Sequence, residues 1–62
     1  MKKYTHNATG RLYLVIGKCK IKINNQWIDG ILYFDAKDNY YVRTTEDFNS
    51  KFTAQGINLE SF

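Results

Sequence analysis

The chain holds one cysteine and one histidine in 62 residues, and each scarcity removes a class of protein. A lone cysteine, Cys19, cannot close a disulfide within the chain, so a stapled secreted scaffold is excluded. A single thiol suits a reducing compartment, and the expected location is cytoplasmic. His6 and Cys19 together fall short of the four ligands of a structural zinc site. Asp35 and Asp38, separated by two residues in a turn, offer too few oxygens for calcium. No metal or other cofactor is expected. Long apolar runs are missing too. The longest uncharged one, Leu12 to Gly17, is far too short for a bilayer, so no membrane association is expected. Met1-Lys2-Lys3 carries the charge of a signal peptide, but polar residues follow where an apolar core should be. The chain is therefore expected to be unprocessed and soluble, which makes the Asn7-Ala8-Thr9 sequon a chance match. Repeats, low-complexity stretches and linkers are absent, leaving one domain over residues 1–62.

Apolar and aromatic residues are plentiful instead, at 44% and 16%, a composition that folds. A chain this short buries only about 60% of the surface its unfolded form exposes. With disulfides and metals excluded, what remains to hold it is a compact core, a protein partner or self-association. Nine basic and six acidic residues give a net charge of +3, a mild bias compatible with solubility or with binding an anion. Lysine, asparagine, isoleucine and tyrosine abound, and their AT-rich codons are common in phage and mobile-element genes.

Period-two alternation dominates the chain and indicates strands. Lys3 to His6 forms a short first strand and Asn7 to Gly10 a turn. From Arg11 to Ile16 the apolar residues Leu12, Leu14 and Ile16 share one face, and Tyr13 and Val15 share the other. Beyond Gly17 the apolar face switches parity, to Cys19, Ile21 and Ile23. A regular strand cannot do this, so a bulge or bend is required near Gly17. Asn24-Asn25 then suits a two-residue hairpin turn. That register sets Ile23 against Gln26, Lys22 against Trp27, Ile21 against Ile28 and Lys20 against Asp29. A three-residue loop would place Ile21 opposite Asp29, a worse pair. The strand from Trp27 to Phe34 is apolar on both faces. Asp35 to Asn39 is a turn and Tyr40 to Arg43 a further strand. Thr44 can cap a helix with Asp47 at its third position; Phe48 and Phe52 would share a helical face, and Gly56 would end it. Ile57 and Leu59 would form a last strand or a loosely ordered tail. The expected fold is mainly all-β: a small SH3-like barrel of four or five short, bent antiparallel strands with one short C-terminal helix. An OB-like barrel fits less well, since it needs more residues and a longer helix.

Four segments carry a resemblance: Tyr4-Thr5-His6, Gly10 to Val15 in a Gly-x-x-Tyr-x-Val pattern, Tyr41-Val42-Arg43, and Phe48. Over residues 4–48 the chain resembles small bacterial domains of unknown function built as SH3-like barrels. Those domains have a proline after the arginine, where this chain has Thr44. They also have a polar loop like His-Ser-Glu-Thr where this chain has its lysines. The resemblance implies the barrel and no activity.

Catalytic patterns are missing. No serine or cysteine stands in a nucleophile motif, no glycine-rich phosphate loop is present, and the carboxylates sit at turns, at a helix start or opposite a lysine. Neither an enzyme nor a small-molecule substrate is expected. Cys19, Ile21 and Ile28 are expected to point to the core, and a better candidate is the face turned away from them, where Lys18, Lys20, Lys22, Trp27, Ile31 and Tyr33 come together. Its lysines could neutralise phosphates while the rings stack on bases. The same aromatics could anchor a protein interface. Two structural readings compete. Trp27 and Tyr33 could pack under the helix near Phe48 and Phe52, or the lysines could only guard an exposed strand against aggregation. The expected role is a non-catalytic protein-interaction module, an accessory protein of phage or mobile-element type, with nucleic-acid binding as the alternative. Exposure of Trp27 separates a binding face from a second core.

Overall fold

The computed structural model describes residues 1–55. Their strands are β1 (Lys2–His6), β2 (Leu12–Ile23), β3 (Gln26–Phe34), β4 (Tyr40–Thr44) and β5 (Phe52–Ala54), with helix α1 (Thr45–Lys51) between the last two. All pair antiparallel in one sheet of order β4-β3-β2-β1-β5. The protein is thus mainly β with one short helix among the described residues.

The turn and bulge follow from local chemistry. Asn24 and Asn25 both adopt positive φ, at 50° and 63°, as a two-residue hairpin turn requires. The ladder then runs Ile23↔Gln26, Lys22↔Trp27, Ile21↔Ile28 and Lys20↔Asp29, the register that side-chain pairing favours. The register shifts between Val15 and Gly17, leaving Ile16 as the extra residue of a bulge. That shift keeps Leu14 on the same face as Cys19 and Ile21 despite the change of parity.

Helix α1 begins where the Thr44 side chain accepts a hydrogen bond from the Asp47 amide at 3.1 Å. It ends at Lys51, short of the span to Gly56 that the sequence suggests. Phe52 is already extended, at φ −125° and ψ 146°, and opens β5. Phe48 and Phe52 therefore meet across a helix–strand junction, with rings stacked 4.2 Å apart. The last strand expected at Ile57 and Leu59 falls outside the described residues.

Two expectations need correction. Among the described residues the sheet does not close into a barrel: β4 and β5 are its two edges. α1 joins those edges without a loop, and seven helical residues rise about 10 Å, twice the roughly 4.8 Å at which two strands pair. The helix fills the gap that a barrel ladder would occupy. Second, Cys19, Ile21 and Ile28 are not the core. They are only half-buried, and the core lies on the opposite face, where Tyr33, Phe48 and Phe52 are buried against Tyr4, Tyr13, Val15 and Ile31. The reason is α1. It begins two residues after Arg43, whose register puts it on the face of Tyr33, and Arg43 holds Tyr33 and Asp47 together.

Candidate functional site

Sheet length decides what the lysine-bearing segment becomes. β1 pairs with β2 only from Leu12 to Val15, and β4 pairs with β3 only from Gly30 to Phe34. Beyond those limits β2 and β3 have only each other. The stretch from Lys20↔Asp29 to Ile23↔Gln26 is a two-stranded arm, consistent with principal extents of 42 × 22 × 20 Å. Gly30 stands at the base of the arm, where the side chain of Ile21 packs over it. A Cβ there would come within 2.5 Å of Ile21 Cδ1 and 3.0 Å of the Arg43 carbonyl oxygen.

Lys18, Lys20, Lys22 and Trp27 lie on one face of this segment, as the sequence indicates, and all four are exposed. Trp27 is 65% exposed. The Lys22 ammonium sits 5.8 Å from the centre of its ring, a cation–π contact worth about 0.5–1 kcal/mol at an exposed site. Lys20 donates to the Asp29 carboxylate across the ladder. That hydrogen bond, more than the charge of the lysine, holds the Asp29 carboxyl below its ordinary range. Two of the three lysines therefore have partners within the arm.

Tyr33, the remaining candidate, belongs elsewhere. It is 3% exposed and packs edge-on against Phe48 at 5.2 Å and Phe52 at 5.2 Å. Its hydroxyl accepts from Arg43 Nε at 2.7 Å. The second-core reading thus holds for Tyr33 and fails for Trp27. Both residues share a face of β3, but α1 reaches only one end of it.

Around Tyr33 the charges serve the fold. Arg43 also donates to Asp47 at 2.7 Å, and its guanidinium lies 5.4 Å from the Phe52 ring centre. Hydrogen bonds from Arg43 first, then from Lys51, lower the Asp47 pKa. A shallow groove of about 650 Å³ runs along Tyr40 to Thr44 beside Asp47, and the polar groups of Tyr41, Arg43, Thr44 and Asp47 in it have partners in the structure. His6 packs edge-on against Phe52 at 4.9 Å, with Nδ1 3.2 Å from Thr9 Oγ1. Cys19 is a free thiol on β2, on the face away from the lysines. Among the described residues no group of three or more His, Cys, Asp or Glu is placed to hold a metal ion, and no helix is long and apolar enough to cross a membrane.

One exposed surface escapes the sequence reading. On the face away from α1, Leu12 is 49%, Tyr40 62% and Val42 49% exposed. The alternation at Leu12, Leu14, Leu32 and Phe34 announces an apolar face, but not that no other described element covers it. No family model, no curated protein and no solved structure matches the chain.

Proposed function

We propose that the protein is a non-catalytic protein-binding module whose contact residue is Trp27 on the β2–β3 arm. The exposure of Trp27 carries this reading. A large ring held clear of the core on a hairpin, steadied by Lys22, is the side chain that dominates protein interfaces when it becomes buried in a partner. Lys18 and Lys20 with Asp29 make a mixed-charge rim around it. Nucleic-acid binding draws less support. Asp29 stands inside the lysine row and engages Lys20, so the face is not a continuous basic stripe. The composition, rich in residues with AT-rich codons, supports an accessory protein of phage or mobile-element type, and its single thiol supports action in a reducing compartment such as the cytoplasm. The SH3-like kinship proposed for residues 4–48 rests on the four sequence segments alone, and the sheet is open.

The test is affinity capture with the wild-type chain, Trp27→Ala, and the double charge reversal Lys20→Glu with Lys22→Glu. A protein partner retained in high salt and lost with Trp27→Ala is the expected result. If the charge reversal abolishes all binding and single-stranded RNA quenches Trp27 at low salt, nucleic acid is the ligand and the proposal falls.

A further inference from the structure

We propose that a second copy of this chain covers the sheet face opposite α1, forming a two-fold, sheet-on-sheet dimer. This contact uses a different face from Trp27, so it goes beyond the binding reading and the two can fail separately. Among the described residues the sheet has a helix on one side only. Register places Leu12, Leu14, Leu32, Phe34, Tyr40 and Val42 together on the other side. Phe34 and Tyr40 stack across the strands at 5.5 Å. An antiparallel sheet that faced water here would alternate to polar residues. This one does not.

Charge selects a copy of the chain as the occupant. In a two-fold contact each patch meets itself, so a charged patch repels itself. Of the described strand residues whose register places them on this face, Lys3 on β1 is the charged one. The opposite face would bring Lys18, Lys20 and Lys22 against their own copies. The apolar face can meet itself, and the lysine face cannot.

Size gives the second argument. Strands about 4.8 Å apart with residues about 3.3 Å apart make this face, arm included, roughly 500 Å² of sheet plane. Two copies then bury on the order of 1,000 Å², the lower bound of a specific interface. The core supplies the third argument. Tyr33, Phe48 and Phe52 are the buried hydrophobic side chains among the described residues, which is little for a chain with a single cysteine. Small chains without disulfide or metal staples gain their missing burial by association.

Sedimentation of the full chain across a concentration series tests the dimer. The expected mass approaches twice the 7.3 kDa of one chain as concentration rises. Val42→Lys is expected to raise the dimer dissociation constant at least tenfold with an unchanged far-UV spectrum, and Trp27→Ala to leave it unchanged. A second measurement needs no variant: isotope-filtered NMR on mixed labelled and unlabelled wild-type chains should show intermolecular contacts from the Leu12 and Val42 methyls. A mass of 7.3 kDa at every concentration overturns the proposal and leaves the face to another protein. A dimer abolished by Trp27→Ala, or one whose intermolecular contacts come from the Lys22 and Trp27 face of the arm, overturns it as well.

Discussion

Replacing Phe48 and Trp27 by alanine, one at a time, separates the residue that holds the fold from the one offered to a partner. Phe48 is 1% exposed. Its ring stacks on Phe52 at 4.2 Å and meets Tyr4 at 5.0 Å and Tyr33 at 5.2 Å. Truncating a fully buried phenylalanine costs about 3–5 kcal/mol, the sum of lost transfer energy and the cavity left behind. A 62-residue domain has roughly 3–9 kcal/mol to lose. Phe48→Ala should therefore unfold at much lower denaturant, or be unfolded in buffer. Trp27→Ala removes a larger ring that the chain itself hardly covers. Its main loss is the contact with Lys22, so it should cost no more than about 1 kcal/mol. Urea titrations by far-UV circular dichroism, at one fixed protein concentration, read both. With a urea slope near 1 kcal/mol per molar, Phe48→Ala should lower the midpoint by about 3 M and Trp27→Ala by less than about 1 M. If Trp27→Ala costs as much as Phe48→Ala, Trp27 is a structural residue and the arm offers no free anchor. A loss below about 1 kcal/mol for Phe48→Ala would put the core somewhere else.

Four further outcomes follow from the same geometry. Gly30→Ala drives a methyl into Ile21 Cδ1 and toward the Arg43 carbonyl, and should destabilise by about 1–3 kcal/mol in thermal or urea melts. Adding Ile21→Val deletes that Cδ1 and should recover part of the loss; no recovery would sink the clash account. Tyr33→Phe deprives Arg43 Nε of its acceptor and should cost about 1–2 kcal/mol by urea melt, leaving the arm's hydrogen exchange unaltered. Asn25→Ala puts alanine at φ 63° and should weaken the turn by about 1–2 kcal/mol, seen as faster amide exchange within the arm alone. Acid stability depends on Asp35, which the Asn39 amide, chiefly, and the Tyr41 hydroxyl hold down from 3.8 to about 2. A depressed folded pKa stabilises above the unfolded value, and that contribution disappears as pH falls from about 4 through about 2. Denaturation midpoints measured across that range should fall less steeply for Asp35→Asn than for the wild type.

Much of the arm was legible in the sequence because its determinants are local. Two adjacent asparagines tolerate positive φ, and the pairing of Lys20 with Asp29 and Ile21 with Ile28 selects one register. The parity switch at Gly17 demanded a bulge for a reason internal to one strand. Thr44 and Asp47 capped the helix as their spacing indicates. The helix end was harder to read. Phe48 and Phe52 are four apart, as helical neighbours are, yet Phe52 belongs to β5 because pairing with β1 at His6 outweighs another half-turn of helix.

Sidedness was not legible. β3 is apolar on both faces, and alternation states that two faces differ, never which one a distant segment will cover. The sequence by itself determined the strands, the hairpin register, the bulge and the separation of Lys18, Lys20, Lys22 and Trp27 from Cys19, Ile21 and Ile28. The tertiary structure alone decided that α1 lies on the face of Tyr33, that the sheet stays open, and that Trp27 stands clear while Tyr33 is buried. Those outcomes depend on the reach of a seven-residue helix joined without a loop to both edges of the sheet, a length and a geometry that no local pattern of side chains records.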